Sequence, residues 1–179
     1  MVVLKWHNKN KVRDLVLYEE GNQYSDVTGG WTSYYDNCLS YPVQYNYNDS
    51  GTRCIRIRSL ADPTGGESGA IVAFTNNKID LKDYTKIHFL VRSTGTTSGP
   101  LRAYRGIFSS KTPTIRYGVS TSGVVSWTQL STSDYGTTKY REKTLDVSDK
   151  NGSYYVGFVQ RSNINQDRYA YIKKVWLTR

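Results

Sequence analysis

Cysteine, histidine and long apolar runs are all scarce in this 179-residue chain, and each scarcity excludes a class of protein. Two cysteines, Cys38 and Cys54, are too few for a disulfide scaffold or a four-sulfur zinc site. A bridge between them would contribute roughly 3 kcal/mol by loop closure. With no secretory signal, however, the expectation is two reduced, half-buried thiols. No stretch of about 18 apolar residues is present, so no membrane insertion is expected. The first twelve residues, MVVLKWHNKNKV, break into Lys, His and Asn after three apolar positions and cannot form a signal-peptide core.

The supply of catalytic groups is equally thin. His7 and His88 are the only histidines. There is no Gly-x-Ser-x-Gly elbow, no Gly-x-x-x-x-Gly-Lys-Ser/Thr phosphate loop and no His-Glu-x-x-His. Carboxylate pairs for glycoside hydrolysis can be proposed among Glu19, Glu20, Glu67 and Glu142, but no spacing selects one. The expectation is a protein that is not an enzyme. Glu20, Asp26 or Asp167 would suit a structural calcium ion. No loop spacing demands one, and no cofactor is expected.

What the chain does have is aromatic. Leu, Ile, Val and Phe make up only 39 residues, but Tyr numbers 16 and Trp 4, and each buried ring removes about 150 to 250 Å² from water. The net charge of +9 favours acidic or phosphate-bearing partners without bearing on fold. The basic residues are spread along the chain rather than clustered, apart from Lys5, Lys9, Lys11 and Arg13 and the set Arg53, Arg56 and Arg58. No nucleic-acid-binding motif accompanies them, and a nucleic-acid partner is not expected.

Hydrophobic periodicity is that of strands throughout. Ile55 and Ile57 alternate with Arg56 and Arg58, which predicts one face in the core and a basic face in water. Ile87, Phe89 and Val91 alternate with Lys86, His88 and Arg92 in the same way. His88 is then an exposed sheet residue or a binding contact. Further strands are predicted over 69–74, 106–108, 115–119, 124–130, 140–147, 154–160 and 169–177. Turn clusters separate them, among them Asn48-Asp49-Ser50-Gly51 and Lys150-Asn151-Gly152. Val12 to Glu20 is too short and too β-branched for a helix, and Ile79 to Tyr84 is the place for one helical turn. The fold expected is all-β: an antiparallel β-sandwich of jelly-roll type with about eight to ten strands and little helix. Residues 1–14 read as a basic arm or edge strand and 15–179 as a single domain.

Three blocks carry a family likeness: LVLYEEGNQYSDVTGGW (15–31), KIDLKDYTKIHF (78–89) and KTLDVSDKNGSYYVGF (143–158). Over residues 15–177 the chain resembles jelly-roll domains of bacteriophage and prophage tail and virion proteins. It shares their turn grammar with galactose-binding-like carbohydrate-binding modules. Where members often carry Cys before the Asp/Ser-Val-Thr step, this chain has Tyr24. The resemblance implies a virion protein made in the host cytoplasm. Asp80, Asp83, Asp146 and Asp149 read as turn caps on their own chemistry.

Sugars are held by aromatic rings with Arg, Asn and Asp at their edges, and the loops supply both. The candidate contacts are Trp31, Tyr34, Tyr35, Tyr45, Tyr47, Arg102, Tyr104, Arg105, Arg161, Asn163 and Arg168, with Trp31 read first as a core plug. The function expected is a non-catalytic module at a phage tail, fibre or capsid surface that binds cell-surface glycan. Two alternatives stand beside it: a purely structural virion component docking on other subunits or on copies of itself, and an accessory module of a glycan-degrading enzyme.

Overall fold

The computed structural model describes residues 14–36, 43–59, 70–94, 102–110, 114–116, 119–129, 138–161 and 168–179. Residues 1–13 of the expected arm (1–14) and Cys38 lie outside them. Two antiparallel sheets pack face to face. The front sheet runs in the order β12 (Arg141–Asp146), β7 (Lys86–Thr94), β14 (Arg168–Thr178), β4 (Thr52–Ser59) and β3 (Gln44–Asp49), with β1 (Leu15–Glu19) also paired to β14. The back sheet runs β11 (Val124–Gln129), β8 (Arg102–Phe108), β13 (Ser153–Arg161), β5 (Ala70–Thr75) and β2 (Trp31–Asp36), with β6 (Ile79–Asp80) on β13. A two-stranded ribbon, β9 (Thr114–Arg116) and β10 (Val119–Ser122), completes the set.

The predicted jelly-roll sandwich is what forms. The described residues hold fourteen strands rather than eight to ten: β1 is a short apolar run without alternation, β2 and β3 lie in polar, Tyr-rich sequence, β6 has only two residues, and the strand predicted over 115–119 divides into β9 and β10. The single helical turn, α1 (Ser25–Thr28), lies in the Asp-Val-Thr corner and not at Ile79 to Tyr84. Tyr24 and Gly29 bound it, both with left-handed backbones (φ 45° and 67°), and Gly30 follows at φ 85°. Those two glycines turn the chain sharply enough to drive Trp31 inward.

The core lies where the alternating strands predict. Ile55 and Ile57 of β4, Ile87, Phe89 and Val91 of β7 and Ile172 and Val175 of β14 face Ala73, Ile107, Val156 and Phe158 of the back sheet. Trp31 is only 6% exposed. It stacks on Phe158 at 5.9 Å, meets Tyr18 edge-on at 6.1 Å, and its indole N–H donates to the Leu17 carbonyl at 3.2 Å. Each fully buried side chain of this size contributes about 1.5 to 3 kcal/mol. Two of the four expected turn caps form: the Asp80 carboxylate accepts from the Lys82 N–H at 3.1 Å and that of Asp146 from the Ser148 N–H at 2.9 Å, whereas Asp149 accepts from the Lys150 ammonium at 2.7 Å and Asp83 faces Arg179 at 4.0 Å.

The strand ends that flank five sheet-to-sheet steps, β2 to β3, β4 to β5, β7 to β8, β11 to β12 and β13 to β14, lie at one end of the sandwich. The turns β3–β4 and β12–β13 lie at the opposite end. This criss-cross leaves the outer face of the front sheet bounded by β12 on one side and by β3 and β1 on the other.

Candidate functional site

The residues that alternate with the core on the front sheet form one continuous outer face. Strand β4 contributes Cys54, Arg56 and Arg58, β7 contributes His88 and Arg92, and β14 contributes Tyr169, Tyr171 and Trp176. The register sets them side by side: Arg92 opposes Tyr171, which opposes Arg56, and Tyr169 opposes Arg58. Tyr47 of β3 stands opposite Cys54.

This face is not the simple basic surface that the Ile-Arg alternation predicts. The arginines lie on rings. The Arg56 guanidinium sits 3.9 Å from the centre of the Tyr47 ring and 5.3 Å from that of Tyr169, and Arg92 sits 3.7 Å over Tyr171. Such contacts stabilise by about 0.5 to 2 kcal/mol each, more where water is excluded. Tyr171 is thereby buried, while Tyr47, Tyr169, Arg56 and Arg58 stay half-buried. The rings and guanidinium groups form a lattice whose edges reach water.

A polar clasp crosses this lattice. The Asp49 carboxylate, at the end of β3, accepts a hydrogen bond from Arg92 Nε at 2.7 Å, a second from Arg92 Nη2, and one from the Tyr140 hydroxyl at 2.7 Å. Tyr140 immediately precedes β12, the opposite edge strand. Edge strands four spacings apart, ~19 Å on a flat sheet, are therefore tied together over the top of the face. Burial works to raise the pKa of Asp49, but the hydrogen bonds from Arg92 and Tyr140 and the Arg92 charge outweigh it and hold the carboxyl below its ordinary value. Burial, then the bond to Asp49, pushes the Tyr140 hydroxyl up.

Cys54 lies beneath the clasp with no exposure, and it carries no disulfide. It is thus fully buried rather than half-buried. Its thiol donates weakly to the Tyr47 carbonyl at 3.6 Å. Burial, chiefly, pushes its pKa up to about 11, which makes it a poor nucleophile at neutral pH.

At the far end of the face, His88 stacks on Trp176 with ring centres 4.8 Å apart and planes 11° from parallel. Its Nδ1 is 2.7 Å from Glu142 Oε1 and its Nε2 is 2.8 Å from Thr178 Oγ1. A carboxylate only accepts, so Nδ1 carries a proton that it donates to Glu142. His88 is thus held by three neighbours, and its side chain is only 13% exposed. Among the described residues, no group of three His, Cys, Asp or Glu is placed to hold a metal ion. Glu20, one of the calcium candidates, is paired with Lys173 at 2.9 Å.

Comparison with known proteins gives a likeness of fold. No protein-family model matches the chain, and no curated protein matches it. Solved structures do. A carbohydrate-binding module of the β-sandwich superfamily, described as promiscuous in specificity, superposes with a TM-score of 0.55 at 17% identity, over 87% of this chain and 60% of that one. A family 30 carbohydrate-binding module gives 0.53 at 13% identity, over 93% and 98%. The glycoside hydrolase domain of Endo-D from Streptococcus pneumoniae R6 gives 0.51 at 9% identity, over 83% of this chain and 22% of that one.

The residues expected from sequence fall into three groups. Trp31 and Arg105 are buried, at 6% and 2% exposure, and Tyr45 packs against the core. Tyr47 alone of the set joins the outer face of the front sheet with its ring placed. The others gather at the end where the five crossings lie. Asp36 of β2, Ala70 of β5, Arg161 of β13 and Arg102 of β8 stand in one row, and Tyr34, Val72, Val159 and Tyr104 in another. Tyr35 lies between them on β2 and Arg168 begins β14; Asn163 lies outside the described residues. The sequence reading missed Arg56, Arg58, Arg92, Tyr169, Tyr171 and Trp176 as a set. The alternation Tyr169, Tyr171 against Ala170, Ile172 was the signal that would have found the rings.

Proposed function

We propose that this chain is a non-catalytic carbohydrate-binding module whose binding surface is the outer face of the front sheet. One observation carries the reading: Tyr47, Tyr169 and Trp176 stand half-buried on a single sheet face, interleaved with Arg56 and Arg58. Tyr169, with no guanidinium among the described residues nearer its ring centre than 5.3 Å, offers ring surface to the C–H face of a sugar, and the guanidinium N–H groups around it supply hydrogen bonds to sugar hydroxyls. The fold supports the same reading, since carbohydrate-binding modules are among the sandwiches it superposes on.

The setting we propose is the surface of a phage or prophage particle, at a tail, fibre or capsid, where the module engages cell-surface glycan. The three sequence blocks at 15–31, 78–89 and 143–158 support it. A second reading, an accessory module of a glycan-degrading enzyme, draws on the match to part of a glycoside hydrolase, of which the sandwich covers 22%. Binding of the purified chain to a glycan array, with light scattering on the same sample, tests the first reading. A defined set of bound glycans, lost in Tyr169→Ala, supports it. A stable assembly blind to every glycan overturns it in favour of a structural virion component.

A further inference from the structure

Arg56 and Arg92 occupy neighbouring positions on the outer face of the front sheet, and their partners differ. Arg92 is neutralised by the Asp49 carboxylate. Arg56 lies over Tyr47 at 3.9 Å and beside Tyr169 at 5.3 Å, and among the described residues it has neither a carboxylate partner nor a hydrogen bond. A guanidinium carries five N–H donors in a fixed fork. The π face of a ring satisfies its charge in part but none of those donors. Arg56 is therefore a half-buried cation, held in place by two rings, with no acceptor on its fork among the described residues.

We propose that this face selects an acidic saccharide, with a carboxylate or sulfate group of the sugar seated on Arg56 between Tyr47 and Tyr169. The inference rests on the glycan-binding reading above and narrows it to a ligand class. Planar, bidentate recognition of an oxyanion is what a positioned guanidinium does best. Because the rings already hold the side chain in place, less rotamer entropy is lost when the anion arrives. The net charge of +9 draws a polyanion toward the chain. A single-stranded nucleic acid fits less well, because it needs open ring faces for its bases. Here Tyr47 and Tyr171 carry guanidinium groups on theirs.

Affinity electrophoresis of the full chain tests this in gels containing polygalacturonate, dextran sulfate, neutral dextran or neutral β-glucan, beside a titration with a thymidine oligonucleotide. Arg56→Gln is run alongside, its fold checked by its thermal midpoint. The result expected is retardation by polygalacturonate, dextran sulfate or both, weakening as salt rises, and about tenfold or more weaker in Arg56→Gln. The two acidic gels separate carboxylate from sulfate as the favoured group. Retardation by a neutral glucan alone would overturn the acidic assignment and leave the glycan-binding reading standing. Failure in all four gels would overturn the acidic seat, leaving the glycan-binding reading to the array. Equal affinity for the oligonucleotide, or full retention of binding by Arg56→Gln, would show the attraction to be general charge and would overturn the seat at Arg56.

Discussion

The hydroxyl of Tyr140, beside one edge strand of the front sheet, donates a 2.7 Å hydrogen bond to the carboxylate of Asp49 on the other edge, 91 residues away in sequence. With Arg92 as the third member, this contact closes the outer face over Cys54 and fixes the ring lattice beside it. The clasp arranges the very surface assigned to ligand.

Removing the Tyr140 hydroxyl should therefore cost stability out of proportion to one atom. Hydrogen bonds to charged groups contribute about 1.5 to 3 kcal/mol net, and the Asp49 side chain is only 12% exposed. Tyr140→Phe should lower the free energy of unfolding by about that amount in a urea titration. A change below a few tenths of a kcal/mol would mean that water replaces the contact at no cost.

The same clasp sets the acid limb of stability. The Asp49 pKa is lowered in the folded state, so folding favours the carboxylate. Its contribution is fully present above the unfolded carboxyl value, about 3.9, and is lost as pH falls through the lower folded value. Unfolding free energy measured from pH 5 to pH 2 should fall less steeply in Asp49→Asn than in the parent. Parallel curves would contradict the linkage.

On the alkaline side the sign reverses. Burial, chiefly, raises the Tyr140, Tyr18 and Cys54 pKa values, the last to about 11. These groups stabilise the fold while protonated, fully so below their unfolded values of about 8.5 to 10, and that contribution is lost as pH climbs through the raised folded values. Stability should decline above about pH 9, and Tyr140→Phe should flatten the decline. The thiol offers a separate readout. In a Cys38→Ser background, Cys54 should react with a thiol reagent at pH 8 at least a hundredfold more slowly in the native chain than in urea, on the order set by its burial and raised pKa. Tyr140→Ala should shrink that difference.

The back sheet makes a prediction of its own. Gly157 and Gly106 are direct partners between Phe74 and Trp127. A Cβ on Gly157 would stand 2.5 Å from the Ala73 carbonyl oxygen and 2.7 Å from the Phe74 Cβ. Gly157→Ala should destabilise by about 1 to 3 kcal/mol, the range for overpacking, measured by chemical denaturation. A neutral result would mean that β5 yields freely.

Much of the fold is legible in the residues because alternation is a local signal. Ile55 and Ile57 against Arg56 and Arg58 predict a half-buried strand, and β4 is one. The Asp-Val-Thr-Gly-Gly-Trp corner predicts an inward ring, and Trp31 is inward. The site was far less legible. That Arg92 meets Asp49, or that Arg56 lies over Tyr47, depends on strand order, and strand order follows from pairings many tens of residues apart. The basic face of β4 was read as solvated because its cover comes from β3 and β14, which no local pattern reveals. Arg102, Arg161 and Arg168, read from composition as loop residues, stand instead at the ends of strands β8, β13 and β14, at one end of the sandwich. Their backbone positions follow from the same long-range register.

The account stands or falls on the outer face of the front sheet as a sugar-binding surface. The most direct measurement is a glycan array at physiological salt, read for the parent chain and for Tyr169→Ala, with matched thermal midpoints. The account predicts a defined set of bound glycans for the parent and their loss in the variant. A parent that binds no glycan, or a variant that binds all of them undiminished, would contradict it.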